Sequence, residues 1–101
     1  MKDIKKCIEA CQACAIACQA CAAACVREGH TGCTLICLDC SEICTLCVNL
    51  AARGSGYHKD LCDLCVKICK ECAAECDKHG ATHGHCKECA DSCRKCIEAC
   101  S

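Results

Sequence analysis

The chain divides into four stretches in which a narrow uncharged stripe recurs at helical rather than strand period. Between positions 7 and 25 the sequence CIEACQACAIACQACAAAC repeats its stripe residue at steps of four, three, four, three and four. That alternation is the a/d seam of a heptad, so one helix presents all of these positions on one side. The seam returns at 33, 37, 40, 44 and 47, then at 62, 65, 69, 72 and 76, and again at 86, 89, 93, 96 and 100. Four amphipathic helices are predicted, at about 2–28, 31–53, 57–79 and 82–100. Asp3 is placed to cap the first, and Thr31 and Thr82 are candidate caps for the second and fourth. Gly29, Gly54-Ser55-Gly56 and Gly80 are the stop signals.

Short connections between amphipathic helices predict an all-α fold, an antiparallel up-down-up-down four-helix bundle. It is also a fourfold internal repeat of one unit. One domain spanning residues 1–101 is expected. Ile8, Ala10, Ala15, Ala17, Ala22 and Ala24 flank the first seam, and these mostly small residues let neighbouring helices approach. Ile36, Ile43 and Leu50 flank the second seam and should join the core. Leu61, Val66 and Ile68 flank the third. Leu35, Leu38 and Leu46 fall outside a four-helix core. With the uncharged face around Ile16, they suggest self-association.

Composition changes this picture, because the seam residue is cysteine throughout. Of 101 residues, 21 are Cys, and Pro, Trp and Phe are absent. The seams are Cys7, Cys11, Cys14, Cys18, Cys21 and Cys25; Cys33, Cys37, Cys40, Cys44 and Cys47; Cys62, Cys65, Cys69, Cys72 and Cys76; and Cys86, Cys89, Cys93, Cys96 and Cys100. Reduced Cys packs as a small hydrophobe, which would explain two or three core positions. It does not explain filling nearly every a and d position while Leu and Ile sit beside them. Neighbouring Cys on one helix have Cβ atoms ~5–6 Å apart, too far for the roughly 3.5–4.5 Å of a disulfide. The odd count also argues against a disulfide framework.

Charge is nearly balanced, with 12 Lys plus Arg against 13 Asp plus Glu. No block of like charge points to nucleic acid or an anionic membrane. The start MKDIKKCIEACQ has no apolar h-region, so no signal peptide is expected and a cytoplasmic, thiol-reducing location follows. Gln12 and Gln19 interrupt the uncharged run from Gln12 to Val26, which is short for a membrane span.

Soft thiolates select Cu(I), Zn(II) or iron–sulfur clusters. A layer of four thiolates around one Zn(II) carries two net negative charges, so about five stacked layers would bury about ten. Cu(I) is monovalent, and bridging thiolates allow about one ion per Cys with a core near neutrality. The run Cys62, Cys65, Cys69, Cys72 has a ferredoxin-like spacing, but on uninterrupted helix without a loop to wrap a cluster. A catalytic cysteine needs a singular environment, and here many are near-equivalent, so no enzyme activity is expected. The competing readings are a general Zn(II) thiol buffer and a thiol redox protein using one exposed pair.

Histidines extend the seams. The first and third connections of an antiparallel bundle share one end, so His30, His79, His83 and His85 should ring one mouth. His79, His83 and His85 are read as outer metal ligands that pass ions to the thiols, and His30 ranks behind them. His58 also falls on a seam, at the opposite end beside Tyr57, and reads as a structural residue.

With these seams and the stretch ECDKHGATHGHCKECADSCRKCIEAC from Glu75 to Cys100, the chain resembles the bacterial copper storage proteins of the cytosolic branch. The resemblance implies a cysteine-lined bundle holding many Cu(I) ions, with a His-bearing mouth. It implies a homo-oligomer, often a tetramer, and a copper chaperone is a possible partner. Exported members of the family carry Met at the mouth, whereas this sequence has only Met1.

Overall fold

In the computed structural model, residues 3–80 and 82–101 are described. They form α1 (Ile4–Arg27), α2 (Thr34–Arg53), α3 (His58–Asp77) and α4 (Gly84–Cys100), with no strand among the described residues. The bundle measures 41 × 18 × 17 Å. Each helix packs on the next and α4 closes back on α1, while the diagonal pairs do not approach closely. That is the up-down-up-down arrangement. Among the described residues, the end holding the α1–α2 and α3–α4 connections is the mouth. The far end holds the start of α1, the α2–α3 connection and the end of α4.

Helix ends follow local chemistry. The Asp3 side chain accepts from the Lys6 amide at 3.2 Å and so caps α1. Gly29 has φ of 77° and terminates that helix in the left-handed region, where a side chain is strained. Gly54 does the same for α2 with φ of 67°. Thr31 does not cap α2: its carbonyl accepts from the Thr34 amide in a turn, and the helix begins at Thr34 after Cys33. Thr82 likewise spends its hydroxyl on the His79 carbonyl, and His83 occupies the cap position of α4. The predicted ends at 31, 57, 79 and 82 therefore retract by one to three residues. The predicted start at Lys2 lies outside the described residues.

The seams point inward as their period requires, and all 21 cysteines are buried at 0–1% exposure. Ala15, Ala22, Ala73 and Ala90 fill the space beside them, with Ile43 the one large aliphatic buried among the described residues. Ile36, Leu61, Val66 and Ile68 pack partly buried against this core, and Leu50 is half-buried. Leu38 departs from its expected place outside the core and packs on it. The small Ala22 and Ala23 of α1 leave a groove there beside Leu38. Leu35 and Ile16 are exposed at 76% and 71%. Ser41 ties α1 to α2, donating to the Ala15 carbonyl at 2.9 Å and accepting from the Gln19 amide at 3.1 Å.

The solvated face of α4 carries a short charge network. Arg94 bridges Asp77 of α3 at 3.0 Å and Asp91 at 2.7 Å, and Lys87 reaches Asp91 at 3.0 Å. Exposed pairs of this kind contribute little to stability, because solvent and salt screen them. By length and composition alone, α1 and α2 could cross a membrane. Their cysteine seams instead face one another inside the bundle.

Candidate metal centre

A 3.6-residue repeat places a Cys on each helix at similar heights, and the bundle turns these into layers. The Sγ atoms of Cys14, Cys40, Cys69 and Cys93, one from each helix, lie within 4.8 Å of one another. Cys11, Cys44, Cys65 and Cys96 form a layer of the same kind toward the far end. Cys21, Cys37, Cys76 and Cys89 form another toward the mouth. The layers are not isolated, since Cys14, Cys44, Cys69 and Cys96 also converge within 4.8 Å and link two of them. The four-thiol groups therefore overlap, and the arrangement is a continuous column rather than a row of separate clusters.

Distances across the column favour low coordination numbers. Cys40–Cys69 and Cys18–Cys89 are 3.6 Å apart, and Cys37–Cys76 and Cys44–Cys65 are 3.7 Å. With a metal–sulfur bond of ~2.3 Å, two sulfurs sit ~4.0 Å apart on a trigonal ion and ~4.6 Å apart across a linear one. Trigonal coordination thus needs a few tenths of an ångström of expansion, and linear coordination about 1 Å.

Burial raises the Cys21 thiol and pushes Cys25 up to about 12, with the neighbouring Cys33 adding to the effect at Cys25. Burial likewise raises Cys7 and Cys86. A neutral thiol is the form that a dry core tolerates. At these four positions the metal-free protein therefore avoids burying thiolate charge.

The mouth gathers the four predicted histidines. His30 lies 5.1 Å from His79, 4.2 Å from His83 and 6.0 Å from His85 between ring centroids, and His83 and His85 are 5.6 Å apart. His85 reaches the thiols of the column: its Nδ1 lies 3.4 Å from Cys21 Sγ and 3.5 Å from Cys86 Sγ. Its Nε2 is 2.7 Å from Glu28 Oε1. Donation from Nε2–H to that carboxylate leaves the Nδ1 lone pair facing the thiols in the neutral ring. His83 Nδ1 meets the same oxygen at 2.6 Å.

Glu28 is not singled out by the seam pattern, because it stands outside the seam at the end of α1. Its bond to His85, and then to His83, holds its carboxyl below the usual range.

His30 is more deeply engaged than its place in the sequence suggests. Both of its ring nitrogens are buried without a hydrogen-bond partner among the described residues, and Glu28 is 3.6 Å away, beyond hydrogen-bond reach. Burial, with His83 and His79 nearby, lowers its pKa and keeps the ring neutral. A neutral imidazole at a thiol-lined opening carries one nitrogen lone pair able to act as a donor to a soft metal. Its heptad position does not explain this, since His30 lies outside both helices. His79 also lies beyond α3, and Gly32 makes room for it: a Cβ at Gly32 would stand 2.6 Å from His79 Nε2.

The fold and the site together define a class: a helical bundle whose core is a buried soft-metal-binding surface. Comparison with known proteins narrows it. The copper storage protein family model matches residues 1–101, and the chain belongs to that family. An uncharacterised cysteine-rich protein of Bacillus subtilis, YhjQ, is 41% identical over 97 residues, covering 96% of this chain and 88% of that protein. The Cu(I)-bound Bacillus subtilis copper storage protein BsCsp3 superposes with a TM-score of 0.90 at 39% identity, over 95% of this chain and 92% of that one. A cytosolic copper storage protein from Streptomyces lividans, carrying five coppers, gives 0.89 at 36% identity, over 96% and 88%.

Proposed function

We propose that this protein is a cytosolic Cu(I) store, which sequesters many ions in its core, limits copper toxicity and holds copper for later use. The observation that carries this reading is the column of stacked four-thiol layers, every Cys of it buried. Relatives that hold copper in the same fold support it. The role is non-enzymatic, as membership in a copper storage family suggests. The four helices act as one storage domain over 1–101. All 21 Cys are ligands, holding about one Cu(I) each. His79, His83 and His85 at the mouth are transfer ligands, and His30 joins them.

Anaerobic titration with Cu(I) against a competing chelator tests this reading. About twenty tightly held ions per chain are expected. Saturation at one to four ions would overturn storage, and equal capacity and retention for Zn(II) would favour a general thiol buffer.

The reading extends to assembly. Ile16, Val26 and Leu35 are exposed on α1 and α2, and Ile16 borders an uncharged groove with Gln12, Thr45 and Val48. This face fits a second copy of the chain, in a homo-oligomer such as the tetramer implied by resemblance. A copper chaperone would deliver its ion at the opposite type of surface, the histidine mouth.

A further inference from the structure

The far end of the column lacks a thiol that the other layers have. One turn beyond Cys47 on α2 stands Ala51, which is buried at 8% exposure and offers no donor. The remaining thiols there are Cys7 of α1, Cys62 of α3 and Cys100 of α4. Cys100 is drawn toward Cys7 at 2.8 Å and Cys11 at 3.5 Å.

His58, the first residue of α3, is one turn before Cys62 and points along the same stripe. Its ring is buried, with Nε2 3.1 Å from Cys62 Sγ and 3.8 Å from Cys7 Sγ, and the two sulfurs are 3.9 Å apart.

We propose that His58 Nε2, Cys7 Sγ and Cys62 Sγ form a three-coordinate Cu(I) site that closes the far end of the column. The inference rests on the Cu(I) storage reading. For metal–sulfur and metal–nitrogen bonds of ~2.3 and ~2.0 Å, a trigonal ion spaces its two sulfurs ~4.0 Å apart and each sulfur ~3.7 Å from the nitrogen. The triangle of 3.9, 3.8 and 3.1 Å matches on two edges and needs a small opening on the third.

Charge favours nitrogen at this position. A terminal ion has no further layer from which to borrow a bridging thiolate. A neutral imidazole completes its coordination without adding another negative charge at the bundle end. Cys7 remains available to bridge inward to the ion shared by Cys100 and Cys11. An imidazole thus stands just beyond each end of the α3 thiol seam, His58 within the helix at one and His79 past its end at the other.

The test is anomalous diffraction at the copper edge on the full chain loaded anaerobically with Cu(I), compared with His58→Phe. A copper peak bonded to His58, Cys7 and Cys62 is expected in the parent. In His58→Phe that peak should vanish, the layer of Cys14, Cys40, Cys69 and Cys93 should stay filled, and chelator-competed capacity should fall by about one ion. Filled central layers with no copper bonded to His58 in the parent would overturn this site and leave storage standing, as would undiminished capacity in the variant. A parent column without copper in any layer would overturn storage itself. If His58→Phe fails to fold, the parent peak decides alone.

Discussion

The two ends of the bundle solve different problems with the same imidazole group. The mouth clusters four histidines, half-buried, with Glu28 holding two of them. The far end holds one histidine, buried against two thiols. At the mouth the donors are several, partly wet and oriented by a carboxylate, which suits an ion that must arrive and move on. At the far end the donor is single and dry, which suits an ion that stays. The difference teaches that seam position alone does not set a histidine's role. What sets it is whether the ring nitrogen faces thiols, solvent or a carboxylate.

The largest effect expected from breaking this contrast is kinetic. Replacing His79, His83 and His85 together with Ala should slow Cu(I) loading at least about tenfold, which corresponds to ~1.4 kcal/mol in the barrier. The thiol capacity should be nearly unchanged. Stopped-flow transfer from a Cu(I)–chelator complex measures this, and unaltered rates would mean that copper enters elsewhere. His58→Phe should show the converse, a smaller capacity at an unchanged rate.

Second is a pH effect on the metal-free protein. Cys25 is raised from 9.0 to about 12 by burial. A thiol raised on folding stabilises the fold fully below its unfolded value, and that stability is lost as pH climbs toward the folded one. The melting temperature of the apo protein should therefore fall between about pH 9 and 12, while the copper-loaded protein, already in thiolate form, should hold its own. Thermal unfolding monitored by circular dichroism across that range checks both halves. Equal sensitivity of the two forms would contradict neutral thiols in the metal-free core.

Third, Gly32→Val places a side chain into His79 Nε2 and should displace that ring from the cluster. Loading should slow by a few-fold, less than on removing three rings. Imidazole proton and nitrogen shifts of His79 in NMR spectra report the displacement directly, and an unmoved ring would refute the contact.

The smallest effect should come from Glu28→Gln, which keeps the shape but releases the charge-assisted bonds to His83 and His85. A change of about two- to threefold in loading rate is expected, since solvent screens exposed pairs and leaves each a small contribution. The His85 tautomer, read by nitrogen chemical shifts, should no longer be fixed with its proton on Nε2.

Much of the column is legible in the chain. A strict three-and-four spacing of Cys can only make one helical face, and four such faces must be buried together. The helix ends are less legible. Thr31 and Thr82 look like caps in sequence, yet the Thr31 carbonyl accepts from the Thr34 amide in a turn and the Thr82 hydroxyl donates to the His79 carbonyl. Leu38 escapes the pattern because its burial depends on the alanines of α1, a neighbour that the period of α2 does not encode.

The sequence by itself determined the thiol content, the stripe on each helix and the gathering of the first and third connections at one end. These follow from local period and short connections. Only the tertiary structure decided which thiols share a layer, that Glu28 meets His85 and His83, that His30 has no hydrogen-bond partner among the described residues, and that His58 lies against Cys7. Each of these depends on the relative heights and rotations of different helices. Side-chain interdigitation fixes them, and no spacing along one chain segment records it.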